Sequence, residues 1–387
     1  MKTIITIISL LAVIFVPFNS MQADTATQLA ATINGFTGGG TGKLSASVVG
    51  NTVTVTGSLT GVKTGTIPGM NINMDMFKYL PPAATKGISP DLIKNLTSGL
   101  TLDIDAGVTI VWNALMSTGS DFTLLGSLIT LFGSGTFEVT GGKIEANDND
   151  QTAHAIAIQY KESTLTIKIS GGTVSASKGN AVFDEGKKSK IIVSGTGLVQ
   201  CMGAGWSAIA TNGNVEVRDN AEVDGYSCAI SAGGSLLSIS GGTVTAIGEI
   251  GTTIKSMGDG AKVTVSGGTV SNMNNGLVIY AQTGDGTVTV TGGLVFAGNT
   301  TGNTIGERNV ILTEYNPDGF KGATGTGVII AWNRTAGHES YVQGSSEGII
   351  KSPASATAVW DIKGASAGIS YANGSNTGFI TLNVTVQ

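Results

Sequence analysis

The sequence of 387 residues predicts an all-β chain wound as a right-handed parallel β-helix, a solenoid with three short strands per coil. An N-terminal cap with a short helix and a β-rich C-terminal cap are expected at its ends. Three observations carry this. An apolar-polar-apolar phrase closed by a glycine turn returns along the middle of the chain. The apolar residue before each turn recurs at a step that suits one coil. A second apolar column lies between the turns.

The clearest copies of the phrase are Ile167 to Val174, Ile239 to Val244 and Val263 to Val270, each closing on Ser-Gly-Gly-Thr-Val. Phe137 to Ile144 and Val288 to Val295 vary it, and degenerate copies at 193–199 and 217–223 fill the gap. The anchors Val139, Ile169, Val193, Val217, Ile239, Val265 and Val290 step by 22 to 30 residues. The second column is Ile156, Val182, Ile209, Ile230, Ile254 and Ile279. Strand side chains alternate between faces, so the anchors stack on their counterparts in the next coil while the glycine pairs allow a sharp corner. No single coil can bury its apolar stripe, so stability comes from neighbours and the ends need caps. The right hand follows from the general preference of parallel crossovers.

Residues 1–23 read as a secretory signal peptide: Lys2, then an apolar core from Ile4 to Val16 too short to span a bilayer, then Ala23 at the cleavage position. Residues 24–136 hold the N-terminal cap and first coils, with a helix expected over Ser89 to Leu96 and a Met-rich insertion from Met70 to Pro82. Residues 137–309 form the repeats. Residues 310–387 form a C-terminal cap or continue the solenoid in strands such as Gly327 to Asn333 and Thr357 to Asp361.

Composition narrows the function. With 58 Gly, 12% charged residues and a net charge of −5, the chain is neither disordered nor fitted to nucleic acid. The first cysteine is Cys201, far from any lipoprotein position, so a secreted or cell-surface protein without a transmembrane anchor is expected. Cys201 and Cys228 fall in adjacent coils, where a disulfide and two interior thiols are both compatible with the positions.

The export signal, the Ser-Gly-Gly-Thr-Val turns and the closing segments Ala358 to Asp361 and Gly368 to Gly374 resemble secreted or surface β-helix proteins of Bacteroidetes-type bacteria. Those proteins belong broadly to the pectate-lyase-like superfamily and are often described as adhesin-like. The resemblance covers about residues 100–387. Its motifs are structural, so it implies a fold more than an activity. A related group of β-helix proteins binds polysaccharide without cutting it, but its Asp-Gly-Ile coil phrase is absent here.

A lyase of this fold needs calcium-holding carboxylates beside a base, and a hydrolase needs carboxylates converging on one wall. The candidates are Glu216 and Arg218 on one strand, with Glu222 and Asp224 on the next. Carboxylates two residues apart on a strand face lie roughly 7 Å apart, within reach of a glycosidase pair and equally common on a solvated strand. Asp148 and Asp150 offer oxygens to a calcium ion, in a run that also reads as an ordinary turn. No cofactor is otherwise indicated, and His154 reads as solvent-facing or structural.

For binding, the third strand of each coil is the suggestive one. Parity turns Ala181, Ala208, Ala210 and Ala229 outward, with Phe183, Val278 and Tyr280 at the margins. Trp206, Tyr226 and Tyr280 sit at or near corners and, with Phe183, are the candidate ligand-binding residues for stacking on sugar. The outward column of the first strand, Lys168, Ile192, Glu216, Ser238, Thr264 and Thr289, is too mixed for a regular ice-binding lattice. The function expected is a non-catalytic adhesive or structural module that binds glycan or a surface protein. The alternative is a polysaccharide-active enzyme.

Overall fold

The computed structural model describes residues 24–63, 98–119, 126–147, 153–158, 163–234, 236–248, 251–272, 277–281, 286–300, 310–313, 323–333, 348–350, 357–363, 366–373 and 376–381. The chain is a β-solenoid of about 7 turns of stacked parallel coils, with one described helix near its N-terminus. A full coil contains three strands, as in Thr166–Ile169, Thr173–Ala176 and Val182–Asp184. In the coils of Thr136–Ala146, Leu236–Ala246 and Lys262–Asn272 the first two strands run on as one, with a register break at the glycine turn.

The registers place the predicted columns in line. Val139 pairs with Ile169, and the ladder continues through Val193, Val217, Ile239 and Val265 to Val290. Ile156, Val182, Ile209, Ile230, Ile254 and Ile279 form a second such ladder in a nine-stranded sheet. Every one of these residues is buried, because stacking like on like covers each apolar side chain with its counterparts in the adjoining coils. The outward row Lys168, Ile192, Glu216, Ser238, Thr264, Thr289 is in register as expected.

One expectation is corrected. Ala181, Ala208 and Ala229 do not face outward. They are fully buried within the apolar core, as is Val278. Ala208 and Ala229 lie inside the strands Ser207–Thr211 and Cys228–Ala232, but the ladder pairs Ser207 with Cys228 and then Ile209 with Ile230, so strict alternation does not hold across the residue before the column. Of the four alanines only Ala210, one residue past the column, keeps an accessible surface.

The helix expected over 89–96 lies outside the described residues, and the described helix, α1, is Ala26–Gly35. Thr25 caps it in a reciprocal box with Gln28, and Ala26, Leu29, Ala30 and Ile33 turn a buried face to the first coils. Next to it, the hairpin of Thr41–Val49 and Thr52–Val62 makes the transition from antiparallel pairing to the parallel ladder that begins at Thr109–Thr118. At the far end, Val328–Asn333 pairs antiparallel with Gly348–Ile350, and Thr357–Lys363, Ser366–Asn373 and Asn376–Thr381 form a separate antiparallel sheet.

Candidate functional site

One stretch of the outward row of the third-strand sheet runs Phe183, Ala210, Ser231, Lys255, Tyr280 in consecutive coils, with Ala157 before it and Leu312 after it. Four strand spacings separate its ends, roughly 19 Å. A half-buried aromatic ring therefore stands at either end of a stretch floored by the small residues Ala210 and Ser231, with Lys255 beside Tyr280.

The Phe183 end is the more elaborate. The His154 ring stacks on Phe183 with centroids 4.6 Å apart and planes 16° from parallel. Trp206 meets the same imidazole edge-on at 6.0 Å and 73°. Three coils supply these three rings, and Asn180 ties them together. Its backbone N–H donates to His154 Nδ1 at 3.0 Å, and its Oδ1 accepts from the Ser207 N–H at 2.9 Å, next to Trp206. Asn180 is 4% exposed, so each of these bonds lies in a setting where losing it would strand a buried polar group. Burial pushes the imidazole down to about 4.

Tyr226 lies around the corner from this cluster. Met202, Tyr226 and Ile247 stack there in successive coils, each N–H bonded to the coil before it, and they are 50%, 37% and 36% exposed. The ring of Tyr226 covers Gly248, where an added Cβ would come within 2.9 Å of it. Phe183, Trp206 and His154 thus form one cluster, Tyr226 belongs to an adjoining apolar corner, and Tyr280 stands four coils further along the row.

The acidic candidates are arranged differently. Glu216 accepts from Lys190 Nζ at 2.8 Å and from Arg218 Nε at 3.2 Å, which occupies both of its oxygens. Arg218 also reaches Asp219 at 4.0 Å. Glu222 and Asp224 lie on the next strand, beyond the corner at 218–221, and no hydrogen bond or ion pair joins them to Glu216 or Arg218. Burial, and then the neighbouring Glu222 carboxylate, push Asp224 up to about 6.

That shift has a defined sign. A carboxyl protonated more readily in the folded state stabilises the fold below its ordinary range, and the contribution is lost as pH rises through about 6. Asp224→Asn is therefore expected to raise stability at pH 7 by about 1–2 kcal/mol, after discounting for partial exposure, and to flatten the pH dependence between about 4 and 6. Urea denaturation at pH 4, 5.5 and 7 checks it. A variant less stable than wild type at pH 7 would contradict it. His154, with its lowered value, has the opposite sign: its contribution is present above the ordinary histidine range and is lost as pH falls toward 4.

Asp184 is also buried. It accepts from Gly186 N at 2.7 Å, from Thr211 Oγ1 at 2.5 Å and from Ser189 Oγ. Burial pushes it upward despite those bonds. Every partner lies in its own or the next coil, so it acts as a brace for the corner.

Both cysteines are free. Cys201 is buried on the second strand and Cys228 lies on the third, with both thiols pushed up to about 11, mainly by burial. Asp148 and Asp150 lie outside the described residues, as do the signal segment 1–23 and the Met70 to Pro82 insertion. Among the described residues no cluster of three His, Cys, Asp or Glu is placed to hold a metal ion, and no helix is long and apolar enough to cross a membrane.

Sequence reasoning missed His154 and Asn180 as members of the site. A signal existed: His154, Asn180, Ser207 and Cys228 each stand two residues before the Ile156, Val182, Ile209, Ile230 column. The parallel solenoid agrees with the fold that the resemblance implied. No family model matches the sequence, and no match was found among curated proteins or solved structures.

Proposed function

We propose that this β-solenoid is an exported, secreted or cell-surface binding module that engages glycan along its third-strand face without turning it over, in an adhesive or structural role. The observation that carries this is the row from Phe183 to Tyr280, an aromatic at each end with the small residues Ala210 and Ser231 and then Lys255 between. Aromatic faces pack against the C–H faces of sugar rings, and small residues let an extended chain lie close to the sheet. The repeat supplies the spacing, because each coil advances the row by one strand. Export rests on the leader, and kinship with adhesin-like, pectate-lyase-like bacterial surface proteins rests on the glycine-turn phrases.

Phe183→Ala and Tyr280→Ala test the face. Each is expected to weaken retention on a bound polysaccharide about tenfold, the loss of one stacking contact, with the thermal midpoint within a few degrees of wild type. Unchanged retention in the double variant would remove the third-strand face from the account.

A polysaccharide-active enzyme is the second function, and one observation favours it. Glu222 and Asp224 lie on one strand face, and a carboxyl near 6 can serve as a general acid. Glu222→Ala with Asp224→Ala distinguishes the two. Polysaccharide breakdown by wild type that disappears in this variant would establish the enzyme, and breakdown that survives would exclude these residues from catalysis.

A further inference from the structure

We propose that His154 is a hydrogen-bond donor built into the Phe183 end of the glycan-binding face, and that its Nε2–H fixes one uncharged sugar ring laid against the His154, Phe183 and Trp206 cluster. This rests on the glycan function proposed above and assigns a ligand class to one part of it. Because Nδ1 accepts the Asn180 N–H at 3.0 Å, the neutral ring must carry its proton on Nε2. The stacked Phe183 at 4.6 Å and the perpendicular Trp206 at 6.0 Å hold the plane of the imidazole, so the direction of that donor is set before any ligand arrives.

Among the described residues the Nε2–H has no hydrogen-bond partner. Its ring is held neutral by burial at ordinary pH, so it offers a dipole rather than a charge. A neutral donor beside two apolar rings suits a sugar hydroxyl or ring oxygen. A carboxylate placed there would give up its hydration for a single neutral bond. The cation of this row, Lys255, stands three strand spacings from Phe183, roughly 14 Å, too far to neutralise an acid bound at the His154 end.

The test compares wild type, His154→Gln and His154→Phe for binding of cellohexaose, xylohexaose, mannohexaose and hexagalacturonic acid by calorimetry, with the thermal midpoint of each variant recorded. Wild type is expected to bind at least one of the neutral hexasaccharides in preference to the acid. His154→Phe should bind it about tenfold more weakly, and His154→Gln, whose amide still donates, should recover part of the loss. In protein with 15N-labelled histidine, His154 should appear as the neutral Nε2–H tautomer at pH 7, and its Nε2 signal should move when the bound hexasaccharide is added. Equal affinity in His154→Phe, no movement of the Nε2 signal, or binding of hexagalacturonic acid alone would overturn the role of His154 while leaving glycan binding standing. Wild type that binds none of the neutral sugars, nor the acid, would overturn both.

Discussion

Replacing Gly268 with valine should cost the fold about 3–5 kcal/mol, through backbone strain and a backbone clash together. Gly268 closes a Ser-Gly-Gly turn at φ +70°, a conformation a β-branched residue almost never adopts. A Cβ there would lie 2.4 Å from the Gly242 carbonyl oxygen and 2.6 Å from the Gly241 carbonyl carbon. Neither can withdraw, because the corner is a stack: the position of a Cβ on Gly293 lies 2.5 Å from the carbonyl oxygen of Gly268 in turn. Gly260 supplies the control. It also has positive φ, +64°, but nothing lies within 4 Å of an added Cβ, so Gly260→Ala should cost only about 1 kcal/mol of conformational strain. Urea denaturation of both variants measures the difference. Because each coil touches only its neighbours, the Gly268 variant is also expected to unfold less cooperatively, starting from the coils on either side of Lys262–Asn272. Equal stability of the two variants would mean that the glycine corners are not packed coil on coil.

Trp112→Ala is the second large loss. The indole is fully buried in the first coils, its ring 5.8 Å from Phe137 of the next coil, and its Nε1–H donates to the Ala114 carbonyl at 3.0 Å. Truncation removes the largest side chain in the described core, and a rigid stack of strands collapses poorly into the space, so about 3–5 kcal/mol is expected. Trp112→Phe keeps most of the volume and loses the hydrogen bond, for about 1–3 kcal/mol. The gap between the two in denaturant midpoints reads the cavity directly, and a Trp112→Ala variant within about 1 kcal/mol of wild type would contradict the packing described.

The solenoid was legible because its determinants are local and repeated. Val139 and Ile169 can be paired from sequence without a structure, since each is the last apolar residue before a turn. Parity misplaces Ala208 and Ala229 because the ladder skips them within their strands, so alternation does not carry across the residue before the column. Helix α1 was overlooked because it occurs once, just beyond an apolar leader, and its only local marks are the Thr25 and Gln28 box and the spacing of Leu29 and Ile33.

The aromatic residues of the site were visible as isolated residues. What could not be seen was that His154, Phe183 and Trp206, drawn from three coils, meet. With coil steps that vary between 22 and 30 residues, lateral neighbours follow only once the registers are known. The sequence already separates Glu216 and Arg218 from Glu222 and Asp224 on successive strands, but it does not show that ion pairing with Lys190 and Arg218 occupies Glu216.

Binding without turnover is tested most directly by incubating the purified mature protein with a panel of neutral and acidic polysaccharides, with and without calcium, and recording both retention on the glycan and release of shortened or unsaturated products. The account predicts retention on at least one neutral polysaccharide with no product. Product release that disappears in the Glu222→Ala, Asp224→Ala variant, or the absence of retention on every polysaccharide, would contradict it.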